Sequence, residues 1–354
     1  MTGMLYEKGR TPRGGWRRYY FLTMADAVPL SLPVFGLLNA VLATLFFLAL
    51  MGGLTPSEFK TSDAYLTALG TAAFFALVNA YALSAGAHVI REAKWALGQL
   101  GPHVDYGDGE TANLQRLLEG GSKNYIRTLL GSALAAGLIH YLLLALQGAQ
   151  TDGIVNVSLY GVGSMIGTCV TWCVLLPVFA SQVNIARIFA EVGRHHVKIN
   201  LFNPEHLKPF ETVAVTPVVC LIGVQMFYPL LFLGGQFDPW VILPGFSCAL
   251  FALIFMLVVP TRGLRARIRE EKREALEKVN QQIADVLAGE KSDLEGAGMM
   301  VLSNLLSMRA YLSNLSESPV QFAARLRWLL YLFVPPATWA AAALMEQFID
   351  QLMI

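Results

Sequence analysis

Apolar blocks of about twenty residues recur along this chain, and they constrain its fold more than any other feature. A helix rises about 1.5 Å per residue, so about twenty residues cross the roughly 30 Å hydrocarbon core of a bilayer. The 354 residues are 55% hydrophobic and only 14% charged, which is outside the usual range of soluble domains. The sequence therefore predicts an all-α, polytopic, multi-pass protein of the cell membrane (an inner or plasma membrane).

Seven blocks have the length and composition of membrane-spanning helices. Six of them form a predicted membrane bundle over residues 30–260, and the seventh covers residues 328–354. Residues 1–29 combine arginines with aromatic residues, which is typical of a segment at the membrane–water interface. Residues 261–327 are polar and predict a helical arm between spans six and seven. The six spans of the bundle lie close to residues 30–50, 66–86, 126–146, 158–180, 213–233 and 240–259.

The basic residues are distributed very unevenly among the predicted connections. Of the 26 Lys and Arg residues, all except Lys60 lie before the first span or in the connections that follow spans two, four and six. Cytoplasmic connections carry an excess of Lys and Arg. This pattern predicts a cytoplasmic N-terminus, an outer C-terminus and a cytoplasmic arm.

The arm contains two narrow apolar stripes with a/d-type spacing, as in helices that pair along a seam. We interpret them as contact surfaces of a helical hairpin, and pairing with neighbouring subunits explains the same pattern. The first stripe consists of Leu276, Val279, Ile283 and Val286, and the second consists of Val301, Leu305, Met308, Leu312 and Leu315.

Polar residues are scarce inside the predicted spans. No Asp, Glu, Lys or Arg lies in the middle of any span, which argues against a proton-driven pump. His140 has the chemistry of a proton relay or of a haem or metal ligand. A single histidine in a membrane helix more often bonds to a neighbouring helix, and we expect that role here. Apart from Ser and Thr, the intramembrane polar residues are Asn39, Asn79, His140 and Gln225.

One cluster, His195, His196, Glu205 and His206, has the residue types of a metal site. Intramembrane di-iron enzymes carry several paired histidine boxes, whereas this chain has a single His-His pair and one later histidine. We therefore expect a solvated basic segment here, and these histidines are weak metal candidates. The sequence predicts no catalytic residues, no cofactor, no enzymatic activity and no nucleic-acid partner.

The predicted seventh helix is rich in alanine and acidic at its outer end. Thr338, Ala341, Ala342 and Met345 share one side of it, and Glu346 and Asp350 lie together at the end. In an oligomer these carboxylates would form acidic rings near a pore, whereas in a monomer they are an ordinary solvated helix end.

These patterns favour a homo-oligomeric, channel-like assembly with cations as candidate permeant ions. The first alternative is a membrane-anchored sensor or assembly subunit that docks a partner through the cytoplasmic arm, with the bundle as a solid anchor. The second alternative is a small-molecule or lipid transporter with a cavity at the fifth span. The expected partners are the lipid bilayer, further copies of the chain and a cytoplasmic protein.

Overall fold

The computed structural model describes residues 16–52, 54, 62–104, 110–152, 159–202, 204–233, 239–289 and 297–316. Within these ranges the chain is nearly all helical. Its α-helices are α1 (Tyr20–Ala27), α2 (Leu32–Leu50), α3 (Ser62–Leu100), α4 (Glu110–Glu119), α5 (Lys123–Asp152), α6 (Leu159–His195), α7 (Lys208–Gln225), α8 (Pro239–Gly289) and α9 (Ala297–Asn314). Short 3₁₀ helices cover Gly101–His103, Pro204–Leu207 and Tyr228–Phe232.

Five helical segments of the described chain are long and apolar enough to cross a membrane. They are Leu32–Leu50, Ala64–His103, Lys123–Leu143, Tyr160–His195 and Glu205–Phe232. The predicted sixth span falls on the first half of α8, and the predicted seventh span lies outside the described residues. The chain therefore has the character of a helical membrane protein, and the total of seven spans stays a prediction.

Helix α3 lies at the centre of the bundle. It contacts α1, α2, α4, α6 and α7. Its most apolar stretch is 67% buried, compared with 11% for α2 and 11% for α5. Much of the buried surface of α3 is alanine, which lets neighbouring helices approach closely. The uncovered faces of α2 and α5 carry large apolar side chains, which suits contact with lipid.

Helices α3 and α6 run in parallel and in register. Asn79 of α3 donates a hydrogen bond to Thr171 of α6, 92 residues later in the chain, at 3.0 Å. Gly86 of α3 lies against Val178 of α6, and these two residues have the same sequence separation. Because the sequence separation between facing residues is constant, the two helices run in the same direction. Helices α3 and α6 therefore form one continuous interface.

A two-stranded antiparallel ribbon closes one end of the bundle, and the sequence did not predict it. Strand β1 (Trp16–Arg18) pairs with β2 (Gly120–Ser122), so that Arg18 lies opposite Gly120. A Cβ at position 120 would collide with the backbone of Arg17, so the ribbon requires a glycine there. The backbone N–H of Tyr125 donates to Ser122 Oγ at 3.2 Å, so Ser122 caps the start of α5.

The predicted fifth span, residues 213–233, is not one continuous helix. Helix α7 begins earlier, at Lys208, and ends at Gln225, and the chain continues as the 3₁₀ helix Tyr228–Phe232. Pro229 lies at the start of this 3₁₀ helix. Proline has no backbone N–H and clashes with the preceding turn, so it either bends or ends a helix. Helix α7 continues past Pro217 but has ended before Pro229.

Helix α8 contains 51 residues, which corresponds to a length of about 76 Å. The predicted boundary at residue 260 is therefore not a break in the helix. Helix α9 packs along the second half of α8 and runs back towards the bundle. Near the end of α9, the carbonyls of Ser313 and Leu315 accept hydrogen bonds from Lys272 of α8 at 2.8 and 2.9 Å.

The packing of α5 on α6 predicts opposite effects for two glycines of the same helix. A Cβ at Gly137 would lie 2.7 Å from Cys169 Cα, whereas a Cβ at Gly131 would meet no atom within 4 Å. We expect Gly137→Ala to destabilise the protein by about 1–3 kcal/mol, because backbone must move to admit the methyl group. We expect Gly131→Ala to be neutral or stabilising by up to about 1 kcal/mol.

Thermal unfolding midpoints of the two variants in the same detergent measure this difference. Equal midpoints for the two variants would contradict the close α5–α6 contact.

Candidate functional site at the polar end of the bundle

The intramembrane polar residues serve as contacts between or within helices. Asn39 donates to the carbonyl of Phe35 in its own helix, at 2.8 Å. Asn79 is 5% exposed and joins α3 to α6, and its Oδ1 has no hydrogen-bond partner among the described residues. His140 accepts a hydrogen bond from Trp172 Nε1 at 3.1 Å, which is the interhelical role expected for it. Gln225 is buried at the end of α7.

The predicted seam residues on α8 and α9 are buried to different degrees. Val279 and Leu312 are fully buried. Val301 and Met308 are exposed. The other five members are half-buried, and they are Leu276, Ile283, Val286, Leu305 and Leu315.

Of the three weak metal candidates, His195 and His196 are neighbours, with ring centroids 6.4 Å apart, whereas His206 belongs to the 3₁₀ helix Pro204–Leu207. His195 lies 3.5 Å from Glu191 on its own helix. His206 instead lies beside His103, with ring centroids 5.2 Å apart. Within the described ranges, no three His, Cys, Asp or Glu residues are grouped to hold a metal ion.

The six candidate pore residues belong to the predicted seventh helix. They lie outside the described residues, so their role stays a prediction. They are Thr338, Ala341, Ala342, Met345, Glu346 and Asp350.

An open pocket of about 400 Å³ lies where α3 and α6 end. Three segments that are distant in sequence form it. His103 comes from the 3₁₀ helix after α3, residues 198–200 come from the extended segment after α6, and Glu205 and His206 come from the 3₁₀ helix before α7. The sequence did not predict this pocket, because no periodic pattern connects positions about one hundred residues apart.

Backbone hydrogen bonds hold the walls of this pocket together. Val104 and Val197 form an antiparallel bridge, and the N–H of Lys198 donates to the carbonyl of His103 at 2.9 Å. Across the pocket, the N–H of Asn200 approaches His206 Nε2 at 3.5 Å. The pocket is therefore a framed part of the fold and not a gap between independent loops.

The pocket is connected to α9 through two contacts. Asn200 Oδ1 accepts a hydrogen bond from the N–H of Phe202 at 3.0 Å. The ring of Phe202 stacks on Tyr311 of α9, with centroids 5.7 Å apart and an angle of 8° between the ring planes. The pocket wall is therefore connected to the arm through the contacts of Phe202 with Asn200 and with Tyr311.

A network of five charges anchors the N-terminal segment to α3 and α4. Asp26 accepts hydrogen bonds from Arg18 at 2.8 Å and from Arg91 at 2.9 Å. Glu119 pairs with Arg18 at 3.1 Å and with Lys94. Slight burial acts to raise the pKa of Asp26, but the hydrogen bonds from Arg91 and Arg18 outweigh it and hold that pKa below its usual range.

Helix α9 has an outer groove of about 410 Å³ that faces away from α8. The six lining residues are all uncharged, and the helix carries one charged residue, Arg309. Large apolar side chains such as Met299 (62% exposed) and Leu306 (46% exposed) lie open on this side. The residues that line the groove are Met299, Leu302, Ser303, Leu306, Ser307 and Ala310.

No family model, curated protein or solved structure matches this chain. Its function is therefore inferred from the contacts described above.

The charge network makes a first prediction for this end of the bundle. Glu119 is mostly buried, with 15% of its side chain exposed, so Glu119→Gln leaves two cations with a weaker partner. We expect this change to lower the free energy of unfolding by about 1–2 kcal/mol. Glu277→Gln removes a fully solvated pair with Arg273 and should cost less than about 0.5 kcal/mol. Chemical denaturation of both variants in the same detergent measures the two losses in free energy of unfolding. A larger loss for Glu277→Gln than for Glu119→Gln would contradict this prediction.

The contact between Lys272 and the end of α9 makes a second prediction. An ammonium group that donates to the last carbonyls of a helix satisfies groups with no partner in that helix. We expect Lys272→Gln to speed amide hydrogen exchange in the last turn of α9 by about tenfold, because charged hydrogen bonds contribute about 1.5–3 kcal/mol. Lys278→Gln, at an exposed position of α8, is the control and should leave exchange there unchanged. Equal exchange in both variants would show that Lys272 does not hold α9.

Proposed function

We propose that this chain is a membrane-anchored sensor and assembly subunit. The helix bundle holds it in the bilayer, and a cytoplasmic hairpin, made of the second half of α8 and all of α9, joins it to a second copy of the chain. The uncovered groove on α9 is the observation that carries this proposal. The cytoplasmic location of the hairpin rests on the distribution of Lys and Arg.

The packing of the bundle supports the anchoring role. Helix α3 is enclosed by five neighbours, and side chains fill the contacts on its α6 side. A solid centre of this kind suits an anchor. The channel hypothesis depends on the predicted seventh helix, at residues 328–354, and it stays a prediction.

The surface of α9 supports the assembly role. Contact between an apolar groove and water is unfavourable. Covering the groove lowers the free energy, and this drives association. The groove carries no charge, so no like-charge repulsion opposes the approach of an identical groove. The stack of Phe202 on Tyr311 and the hydrogen bond from Lys272 hold α9 in one position, which lowers the entropy lost on binding.

The order of large and small residues in the groove favours a second copy of α9 as the occupant. In a two-fold symmetric, antiparallel pair, each residue of one helix faces a defined residue of the other. Centred between positions 304 and 305, such a pair places a large side chain against a small one three times on each side. The pairs are Met299 with Ala310, Leu302 with Ser307, and Leu306 with Ser303.

This complementarity predicts a swap experiment. Ser303→Leu would place leucine against Leu306 of the second copy, and overpacking costs about 1–3 kcal/mol at each of the two symmetric contacts. We expect the Kd for dimerisation to rise at least about tenfold. Adding Leu306→Ser restores a large residue opposite a small one, so the double variant should return to within about threefold of the original Kd.

Dimerisation is measured on the full chain in detergent by analytical ultracentrifugation. Asn304→Leu is the matched control, because position 304 is exposed on the same helix but does not line the groove. A monomeric wild-type chain at all accessible concentrations would overturn the proposal. A double variant as weak as Ser303→Leu alone would show that a partner other than a second α9 covers the groove.

A further inference from the structure

We propose that Met299 is a redox-sensitive modification site, and that its oxidation to methionine sulfoxide by a peroxide separates paired chains. The side chain of Met299 lines the groove on α9, the surface through which two copies of the chain are proposed to pair. The inference rests on that proposed function and adds its regulation. Pairing then depends on the oxidation state of one sulfur atom in each chain.

The methionines of α9 are open to solvent. This helix contains three of the chain's 12 methionines within 18 residues. Met299 and Met300 are 62% and 70% exposed, which is more than any other methionine in the part of the chain that the structure describes. A thioether is the apolar side-chain group that peroxides oxidise most readily, provided that the oxidant reaches the sulfur. Helix α9 therefore presents the two most accessible thioethers of the described chain.

The modification is a two-electron oxidation of the thioether. The sulfur lone pair attacks one oxygen of hydrogen peroxide, an S–O bond forms and the O–O bond breaks. The second oxygen leaves as water after proton transfer. The product is a sulfoxide, which is polar where the thioether was apolar. Methionine sulfoxide reductases reverse the change with two thiols, which become a disulfide while the sulfoxide oxygen leaves as water.

A sulfoxide at position 299 is incompatible with the proposed contact. In the two-fold symmetric pair, Met299 lies against Ala310 of the second copy. Alanine has no side-chain donor, so the sulfoxide oxygen loses its hydrogen bonds to water and gains none from the residue opposite. Burying an acceptor in this way is unfavourable. The symmetry of the pair repeats the penalty at a second, identical contact.

Pairing and oxidation of Met299 oppose each other. In the pair, the second copy covers Met299, whereas Met300 does not line the groove and stays in solvent. Met299 is therefore oxidised in the unpaired chain, and the sulfoxide then keeps that chain unpaired by mass action. Met300 is one residue away, equally open to peroxide and outside the groove, so it is the matched control.

The effect is measured on the full chain in detergent. Analytical ultracentrifugation gives the Kd for dimerisation before and after hydrogen peroxide, and mass spectrometry gives the fraction of sulfoxide at each methionine. We expect the Kd to rise at least about tenfold once Met299 is oxidised. Treatment with both sulfoxide reductases, one for each epimer, should restore the original Kd. An unchanged Kd with Met299 fully oxidised would overturn the proposal.

Leucine variants locate the sulfur responsible. Leucine has a volume similar to that of methionine but no sulfur, so it does not react with peroxide. The quantity compared is the ratio of the Kd after peroxide to the Kd before it. This ratio should be close to one for Met299→Leu and at least about ten for Met300→Leu. A large ratio in Met299→Leu, or a ratio close to one in Met300→Leu, would refute the assignment to Met299.

Glutamine variants imitate the sulfoxide without any oxidant, because glutamine is polar, uncharged and similar in length to methionine. We expect Met299→Gln to raise the Kd at least about tenfold, whereas Met300→Gln should change it less than about twofold. Equal Kd values for the two variants would contradict the proposed role of Met299.

Failure of this inference is separable from failure of the proposed function. A wild-type chain that is monomeric before peroxide is added would overturn the pairing, and the redox control with it. A dimer that persists after oxidation of Met299 would refute the redox control alone. The oxidation rate of Met299 relative to that of Met300 should also fall as the protein concentration rises through the Kd. A constant ratio of these rates would show that the second copy does not cover Met299.

Discussion

Close packing of small residues around α3 is the constraint on which the rest of the structure depends. Lipid tails are as apolar as leucine side chains, so the hydrophobic effect does little to bring helices together inside a bilayer. Helices associate there when small residues let their backbones come close, as Gly137 does at Cys169 and Gly86 does at Val178. The α3–α6 contact sets the relative height of the two helix ends, and those ends carry the pocket.

The polar end of the bundle is organised by the opposite kind of interaction. Here Asp26 and Glu119 connect three cations from two segments of the chain, β1 and α3, and a short ribbon fixes the N-terminal segment against β2. Paired charges at an interface between membrane and water cost little desolvation because they remain partly exposed. The apolar centre and the polar end of the bundle are therefore stabilised by different interactions, close packing in the first and paired charges in the second.

The sequence predicted some elements well because the relevant signals are local. The apolar blocks over residues 30–50, 66–86 and 126–146 fall on α2, α3 and α5, and each block is recognised from residues a few positions apart. The end of α7 at Gln225 does not follow from the apolar block at residues 213–233, because such a block does not distinguish one continuous helix from a helix that ends. The role of His140 was expected as a class of contact, but its partner, Trp172, was not named.

The sequence by itself determined that this chain is helical, apolar in long blocks and asymmetric in its basic residues, because each of these properties is a sum over neighbouring residues. Only the tertiary structure decided that α3 is central, that His103 and His206 share a pocket, and that Phe202 meets Tyr311. The physical reason is that a membrane helix is apolar on nearly every side. Its pattern of residues therefore carries little information about which neighbour each side will contact, and close packing makes that choice.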